Sequence, residues 1–465
     1  MRALIAVCLL AGSVAAADPA PGPDLPFTPP HATRIKLESG LTLLVVSNHR
    51  LPVVTLRLVV PGAGSAADPP GRGGLAAFTA DLVDEGSGAR GALEISQAAE
   101  ALGGAIESGV DADSAFVEMS TLSKKWAPAL DLFAEVVTSP RFDAAEAARV
   151  HGDRMTAIEL RPDRPHEVGA LRLAAALFGE GSRLGHAPEG EAADFAKLGR
   201  EDAAAFYRDA WDPARSVLVV VGDVDAPQVA ADVKARLEAW RRPRGRRPKV
   251  MPAGKPSAAR LIFVERPGAE QSDVVFGMRS RPRADARSYA LEVLVNAWGG
   301  GFTGRLTQIL RERKGYLYHV YPELVFHPEG SVYAVLAPLF TPVTGEGMKE
   351  ILAMIDDLRA NGVVGRELGK AQLNLIRDLP DRFESNSETA SAFGDLFRLG
   401  LPDDWYAQYA RRISAVTSDE LKKVAREELK KVTFVVVGDP AKVRPIVEAL
   451  GLGKPEVWGL DGKRR

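Results

Sequence analysis

The run Ser216-Val217-Leu218-Val219-Val220-Val221-Gly222-Asp223-Val224-Asp225 returns as Val432-Thr433-Phe434-Val435-Val436-Val437-Gly438-Asp439-Pro440-Ala441. Each copy is a β-branched stretch of the kind buried in a sheet, closed by Gly-Asp and followed by a helix-like segment. The two glycines are 438 − 222 = 216 residues apart. Working outward, the starts of the two blocks match within a few residues of that offset. Leu41 to Val46, a turn and Val53 to Val60 read as a hairpin, and Leu261 to Glu265, a turn and Asp273 to Met278 read as another. An apolar helix follows each, over 74–84 and over 287–298. The chain is internally duplicated, with domains predicted over 31–240 and 257–465. Between them, residues 241–256 are basic, rich in Pro and Gly and without periodicity, which reads as a solvated linker rather than a polyanion contact.

At 465 residues the chain has room for about two to four domains with ample core. A net charge of −2 gives no electrostatic case for nucleic acid. The N-terminus is more specific. Met1-Arg2 precedes a short apolar run, and Ala15-Ala16-Ala17 offers a small-residue cleavage site, so residues 1–17 read as a secretory signal. That run is too short to span a membrane. Val7 stands before Cys8 where a bacterial lipoprotein signal would want Gly or Ala. Cleavage leaves a mature chain without cysteine, indifferent to an oxidising compartment, and predicts the periplasm or the exterior of the cell. Residues 18–30 are Pro-rich and read as an extended lead-in.

The segment Gly74-Leu75-Ala76-Ala77-Phe78-Thr79-Ala80-Asp81-Leu82-Val83-Asp84-Glu85-Gly86-Ser87 closely resembles the zinc-binding helix of the insulinase/pitrilysin metallopeptidases. That helix reads G-L-A-H-F-L-E-H-M-x-F-x-G-T and carries the H-x-x-E-H inverzincin motif. Here the first His position is Ala77, the catalytic Glu position Ala80 and the second His position Asp81. The family's third ligand is a Glu on a downstream helix. Counting back from Pro165, that position falls at Ala157, with Glu159 two residues out of step. A hydrolytic zinc site needs about three protein ligands and an open position for water, and a base to take the water's proton. The resemblance therefore implies a non-catalytic member of a peptidase family.

No substitute site is evident. Of the histidines at 31, 49, 151, 166, 186, 319 and 327, no two lie three or four apart. His319, Glu323 and His327 share helical spacing, but their segment is β-branched and aromatic with Pro322 inside it, so it reads as strand. No metal and no cofactor are expected on this chain.

The resemblance covers nearly the whole mature chain, with further landmarks at 102–113, 184–190 and 205–207. It implies an α+β fold of two homologous halves, each a mixed β-sheet backed by helices, forming a clamshell around an unfolded peptide. In the second half, Gly299-Gly300-Gly301-Phe302-Thr303-Gly304-Arg305 and the helix after it resemble the family's second signature. There an Arg on the helix and a Tyr seven residues later reach the substrate; Arg311 and Tyr318 keep that spacing. From the residues alone, Arg311 is one charge on an amphipathic helix and Tyr318 opens an aromatic strand. The glycine run lacks the following Lys-Ser/Thr of a phosphate loop. The strand around Gly103 to Met119 reads either as a core or hairpin strand or, by the resemblance, as an edge that pairs with substrate.

The implied function is a subunit that binds peptide through Arg311 and Tyr318 and pairs with a zinc-bearing homologue, the zinc being on that partner only. The alternatives are a binding or assembly protein without a proteolytic role, and an active metalloendopeptidase with a divergent metal site.

Overall fold

The computed structural model describes residues 27–240 and 254–465. The leader over 1–17, residues 18–26 of the lead-in and residues 241–253 of the linker lie outside the described residues. The first half forms β1 (Thr33–Lys36), β2 (Thr42–Ser47), β3 (Val53–Pro61), a small ribbon of β4 (Gly86–Ser87) and β5 (Arg90–Gly91), β6 (Ile106–Val110), β7 (Ser114–Leu122) and β8 (Val217–Gly222). The second half forms β9 (Leu261–Glu265), β10 (Gln271–Ser280), β11 (Tyr321–His327), β12 (Gly330–Phe340), β13 (Thr433–Gly438) and β14 (Glu456–Gly459). They build two six-stranded mixed sheets, ordered β1-β2-β8-β3-β7-β6 and β11-β12-β10-β13-β9-β14. The duplication runs through the strands: β12 starts 330 − 114 = 216 residues after β7, and β13 starts 433 − 217 = 216 after β8.

The two expected hairpins do not form. In each half the Gly-Asp strand inserts between the two runs, so β8 lies between β2 and β3, and β13 between β9 and β10. β8 pairs parallel to β2, from Thr42 opposite Val217, and antiparallel to β3. The reason is burial. Every residue of β8 and β13 is buried, and a strand apolar on both faces needs neighbours on both edges and cover on both sides. Gly222 then closes β8 at φ +140°, where a side chain would collide with the Val53 carbonyl.

Alternation along these strands feeds two different cores. In β8, Leu218 and Val220 face helices Trp126–Thr138 and Ala226–Leu237 of their own half, through Phe133 and Val233. Val217, Val219 and Val221 face the other way, into the core that holds Phe393 and Leu396 of helix Asn386–Arg398 from the second half. The second sheet is covered reciprocally. Helix Pro165–Phe178 of the first half lays Val168, Leu173 and Leu177 on Val275, Val435 and Val437. Each such aliphatic side chain contributes about 1.5–3 kcal/mol on burial. Both helices begin on clear local signals, Pro165 at a first turn and a Ser385/Glu388 capping box. Each meets the opposite sheet through a glycine: a Cβ on Gly169 would lie 2.8 Å from Val275 Cγ2, and one on Gly394 2.9 Å from Val59 Cγ2. The junction of the halves is thus filled by exchanged helices.

Candidate functional site

The helix that resembles the metal helix spans Leu75–Asp81, three residues shorter at its C-terminal end than expected, because Leu82 and Val83 turn into the core. Its N-terminus is fixed by Asp68, whose buried carboxylate accepts the backbone N–H of Gly74 at 2.8 Å and of Ala76 at 2.7 Å. Ala77 and Ala80 are fully packed methyl groups. Asp81 is not free: its Oδ2 accepts Arg154 Nε at 2.5 Å. Arg154 lies on helix Ala144–Glu159. Ala157 is exposed further along that helix, its carbonyl accepting from Arg164 at 2.8 Å, and Glu159 is also exposed. These residues do not fit a zinc ion: two positions offer no lone pair and the third is already neutralised by a guanidinium.

Around this helix end, Ser108 of β6 donates to the Ala80 carbonyl at 2.9 Å and to Asp84 Oδ1 at 3.3 Å. Burial raises the Asp84 carboxyl to about 6. The Gly103 to Met119 stretch is a hairpin, with β6 at the edge of the sheet and β7 inside it. A cleft of about 320 Å³ opens beside β6, lined by Asp84, Glu85, Leu93, Ile95, Ala99 and Ile106 among others.

The other candidate pair does come together. Arg311 lies on the π-helical turn Thr307–Arg313, and its guanidinium carbon stands 5.2 Å from the Tyr318 ring centre. Phe302 of the glycine-rich turn flanks it at 5.5 Å, and Glu312 pairs with its Nε at 3.3 Å. Tyr318 does not begin a strand; β11 starts at Tyr321. Buried Leu317 and Val320 pin the intervening loop while Tyr318 projects outward, 79% exposed. His319 sits edge-on to Tyr321 at 4.6 Å and to Phe302 at 6.4 Å. The result is an exposed aromatic surface around one arginine, of which sequence reasoning named Arg311 and Tyr318 and missed Phe302 and Tyr321.

His319, Glu323 and His327 share no site, since His327 turns to Asp113 of the other half at 2.8 Å. Among the described residues no three His, Cys, Asp or Glu side chains gather in metal-holding geometry.

Residues 42–180 match the insulinase (peptidase family M16) profile, and residues 197–375 match the peptidase M16 inactive domain. The chain belongs to the insulinase family. It lacks the family's H-x-x-E-H motif. It is 29% identical over 380 residues to an uncharacterized zinc protease of Mycobacterium tuberculosis, covering 80% of this chain and 84% of that one. It is 20% identical over 408 residues to the non-peptidase homolog YmxG of Helicobacter pylori, covering 87% and 93%. Among solved structures, a peptidase M16 inactive domain from Pseudomonas fluorescens superposes with a TM-score of 0.81 at 25% identity, covering 88% of this chain and 98% of that one. A protease from Helicobacter pylori superposes with a TM-score of 0.82 at 21% identity, covering 88% and 100%.

One further cluster ties this insulinase-family fold together. Asp113, in the β6–β7 turn, accepts Arg183 at 2.6 Å from its own half, and His327 at 2.8 Å and Arg398 at 2.9 Å from the other half. Burial acts to raise its carboxyl, but the hydrogen bonds and charge of His327 and Arg183 outweigh it and hold the group below the usual carboxylate range. Local sequence carries no signal for this cluster, because its four members come from four distant segments.

No helix among the described residues is long and apolar enough to cross a membrane.

Proposed function

We propose that this chain is a periplasmic, non-catalytic subunit of an insulinase-like zinc peptidase. It pairs with a zinc-bearing homologue and presents Arg311 and Tyr318 to the peptide held between the two chains. It carries no zinc of its own; the metal resides on the partner. The observation that carries this reading is the contrast between two surfaces. At the metal helix, methyl groups and a closed ion pair stand at the ligand positions. At the glycine-rich turn, Arg311 and an exposed Tyr318 keep the spacing of the substrate-contacting signature.

A guanidinium fork can hold a peptide carbonyl or carboxylate, and a tyrosine hydroxyl can donate to a developing oxyanion. Stacking against Tyr318 and Phe302 restrains the arginine before any ligand arrives, which lowers the ordering cost of binding. Because exchanged helices fill the junction inside this chain, the peptide chamber is completed by a second chain. β6, at its sheet edge, suits peptide binding by strand addition. The leader-like N-terminus supports the periplasmic assignment.

The test is co-purification of the mature chain with a zinc-bearing homologue from the same organism, followed by cleavage of an unfolded peptide by the pair. Arg311→Ala and Tyr318→Phe each lower cleavage about tenfold or more while pairing persists. A working pair indifferent to both substitutions sinks the reading and favours an assembly role without proteolysis.

A further inference from the structure

We infer that Arg154 stands where the insulinase family holds its metal ion, so that a guanidinium does the ion's structural work and keeps divalent cations out. The inference rests on the reading above only in taking the chain as free of zinc. In the family, a cation joins the second His of the metal helix to an acidic residue on a downstream helix. Here the same two helices are again joined through a cation. Asp81 supplies an anion at the second His position, and Arg154 reaches it at 2.5 Å from a point one turn before Ala157. Residues three apart lie on one face of a helix, so Arg154 projects from the side that would carry the third ligand.

The surroundings agree. Ala77, one turn before Asp81 on the same face, is buried and apolar, and Ala80 is completely buried. The Thr79 hydroxyl is turned back onto the Leu75 carbonyl at 2.7 Å, which removes the other side-chain donor of the helix. The neighbouring cation Arg149 is committed elsewhere, to Glu85 at 2.5 Å and Glu146 at 2.9 Å. Arg154 has no other protein partner among the described residues, so its charge is directed at Asp81 alone. A guanidinium stays protonated at any physiological pH. A divalent ion about 4 Å from it meets strong repulsion even at the effective dielectric of a protein surface. Restoring the lost ligands therefore does not restore zinc while Arg154 remains.

The experiment grafts Ala77→His, Asp81→His and Ala157→Glu onto the full mature chain in two backgrounds, one retaining Arg154 and one carrying Arg154→Met. Zinc per chain is measured after dialysis against trace zinc, and affinity by competition with a chelating dye. The Arg154→Met background takes up about one zinc per chain and binds it roughly a hundredfold or more tighter than the background that keeps the arginine. Equal zinc in both backgrounds, or none in either, overturns the placement. A second variant guards against a graft that fails to fold. Asp81→His with Arg154→His sets two imidazoles on the observed contact and gives a zinc-dependent rise in melting temperature that Asp81→His alone does not. A double variant silent to zinc overturns the contact. Every readout is zinc on the isolated chain, so the result stands apart from pairing and peptide cleavage.

Discussion

Replacing Asp113 by Asn removes one negative charge from a point where two guanidinium groups and an imidazole converge, on a side chain only 3% exposed. Breaking a buried ion pair by removing one partner costs about 3–5 kcal/mol, because the remaining charge stays desolvated. Two features bring the value toward the lower end. Arg183 keeps Glu329 at 3.0 Å, and Arg398 keeps Asp395 at 3.0 Å, both exposed acids that recover part of the loss. The expected destabilisation at pH 7 is about 3 kcal/mol. Asp113 and Arg183 belong to the first half, His327 and Arg398 to the second, so the loss falls on the docking of the halves rather than on either core. Urea unfolding followed by far-ultraviolet circular dichroism and tryptophan fluorescence reads this as a lower midpoint and a transition that begins to separate into two steps. The pH dependence has a definite sign. A carboxyl held below its ordinary value stabilises the fold fully above the unfolded pKa of about 3.9, and that contribution is lost as pH falls through the lower folded value. Wild type and variant therefore converge only in acid. A difference under about 1 kcal/mol at pH 7, or one unchanged in strong acid, refutes the reasoning.

Asp84→Asn acts with the opposite sign. Burial raises this carboxyl to about 6, so its ionisation opposes folding, an effect absent below the unfolded pKa and complete once pH passes the folded one. The variant is more stable by about 3 kcal/mol at pH 8 and unchanged at about pH 2.5, below the unfolded pKa, and a pH-independent effect in thermal melts contradicts the assignment. Gly169→Leu and Gly394→Leu each force a side chain into the opposite sheet and lower stability by about 1–3 kcal/mol or more in denaturant unfolding; full stability for either refutes the close packing of the exchanged helices. Gly152→Ala, in an exposed helix interior with open space around it, raises stability by about 0.5–1 kcal/mol in the same assay. The purified mature chain, dialysed against trace zinc, holds well below one zinc per chain by elemental analysis; close to one, tightly held, means the chain has a metal site of its own.

The fold was legible wherever the chain repeats itself. The two Gly-Asp runs mark the duplication because a strand buried on both faces must be apolar at every position, and that pattern survives where surface residues drift. Their place between β2 and β3, and between β9 and β10, was not legible. Strand order depends on pairing across more than 150 residues, and a local alternation of apolar positions cannot distinguish a hairpin partner from a strand that arrives later. The exchanged helices were hidden for a related reason. Pro165–Phe178 and Asn386–Arg398 have the apolar stripes of any covering helix, and nothing in a stripe says whose sheet it covers.

At the candidate site the same division holds. Loss of the metal ligands at Ala77 and Ala80 reads directly from the sequence, because a methyl group excludes coordination wherever it sits. What took their place does not, because a positive charge on a distant helix now meets the one remaining polar position. Asp81 and Arg154 are 73 residues apart on separate helices, a spacing with no meaning until both helices are packed. The glycine-rich turn was easier: Gly301 stands at φ +55°, a conformation other residues rarely adopt, so the residues that set the turn stay recognisable and carry Arg311 with them. Phe302 within that turn, and Tyr321 at the start of β11, had no reason to be singled out as aromatic residues among others. Only their exposure distinguishes them from core, Phe302 against Arg311 and Tyr321 one ring further out against His319. Large exposed rings gathered around one cation, on a chain whose other large aromatics are mostly buried, are the mark of a surface kept for contact.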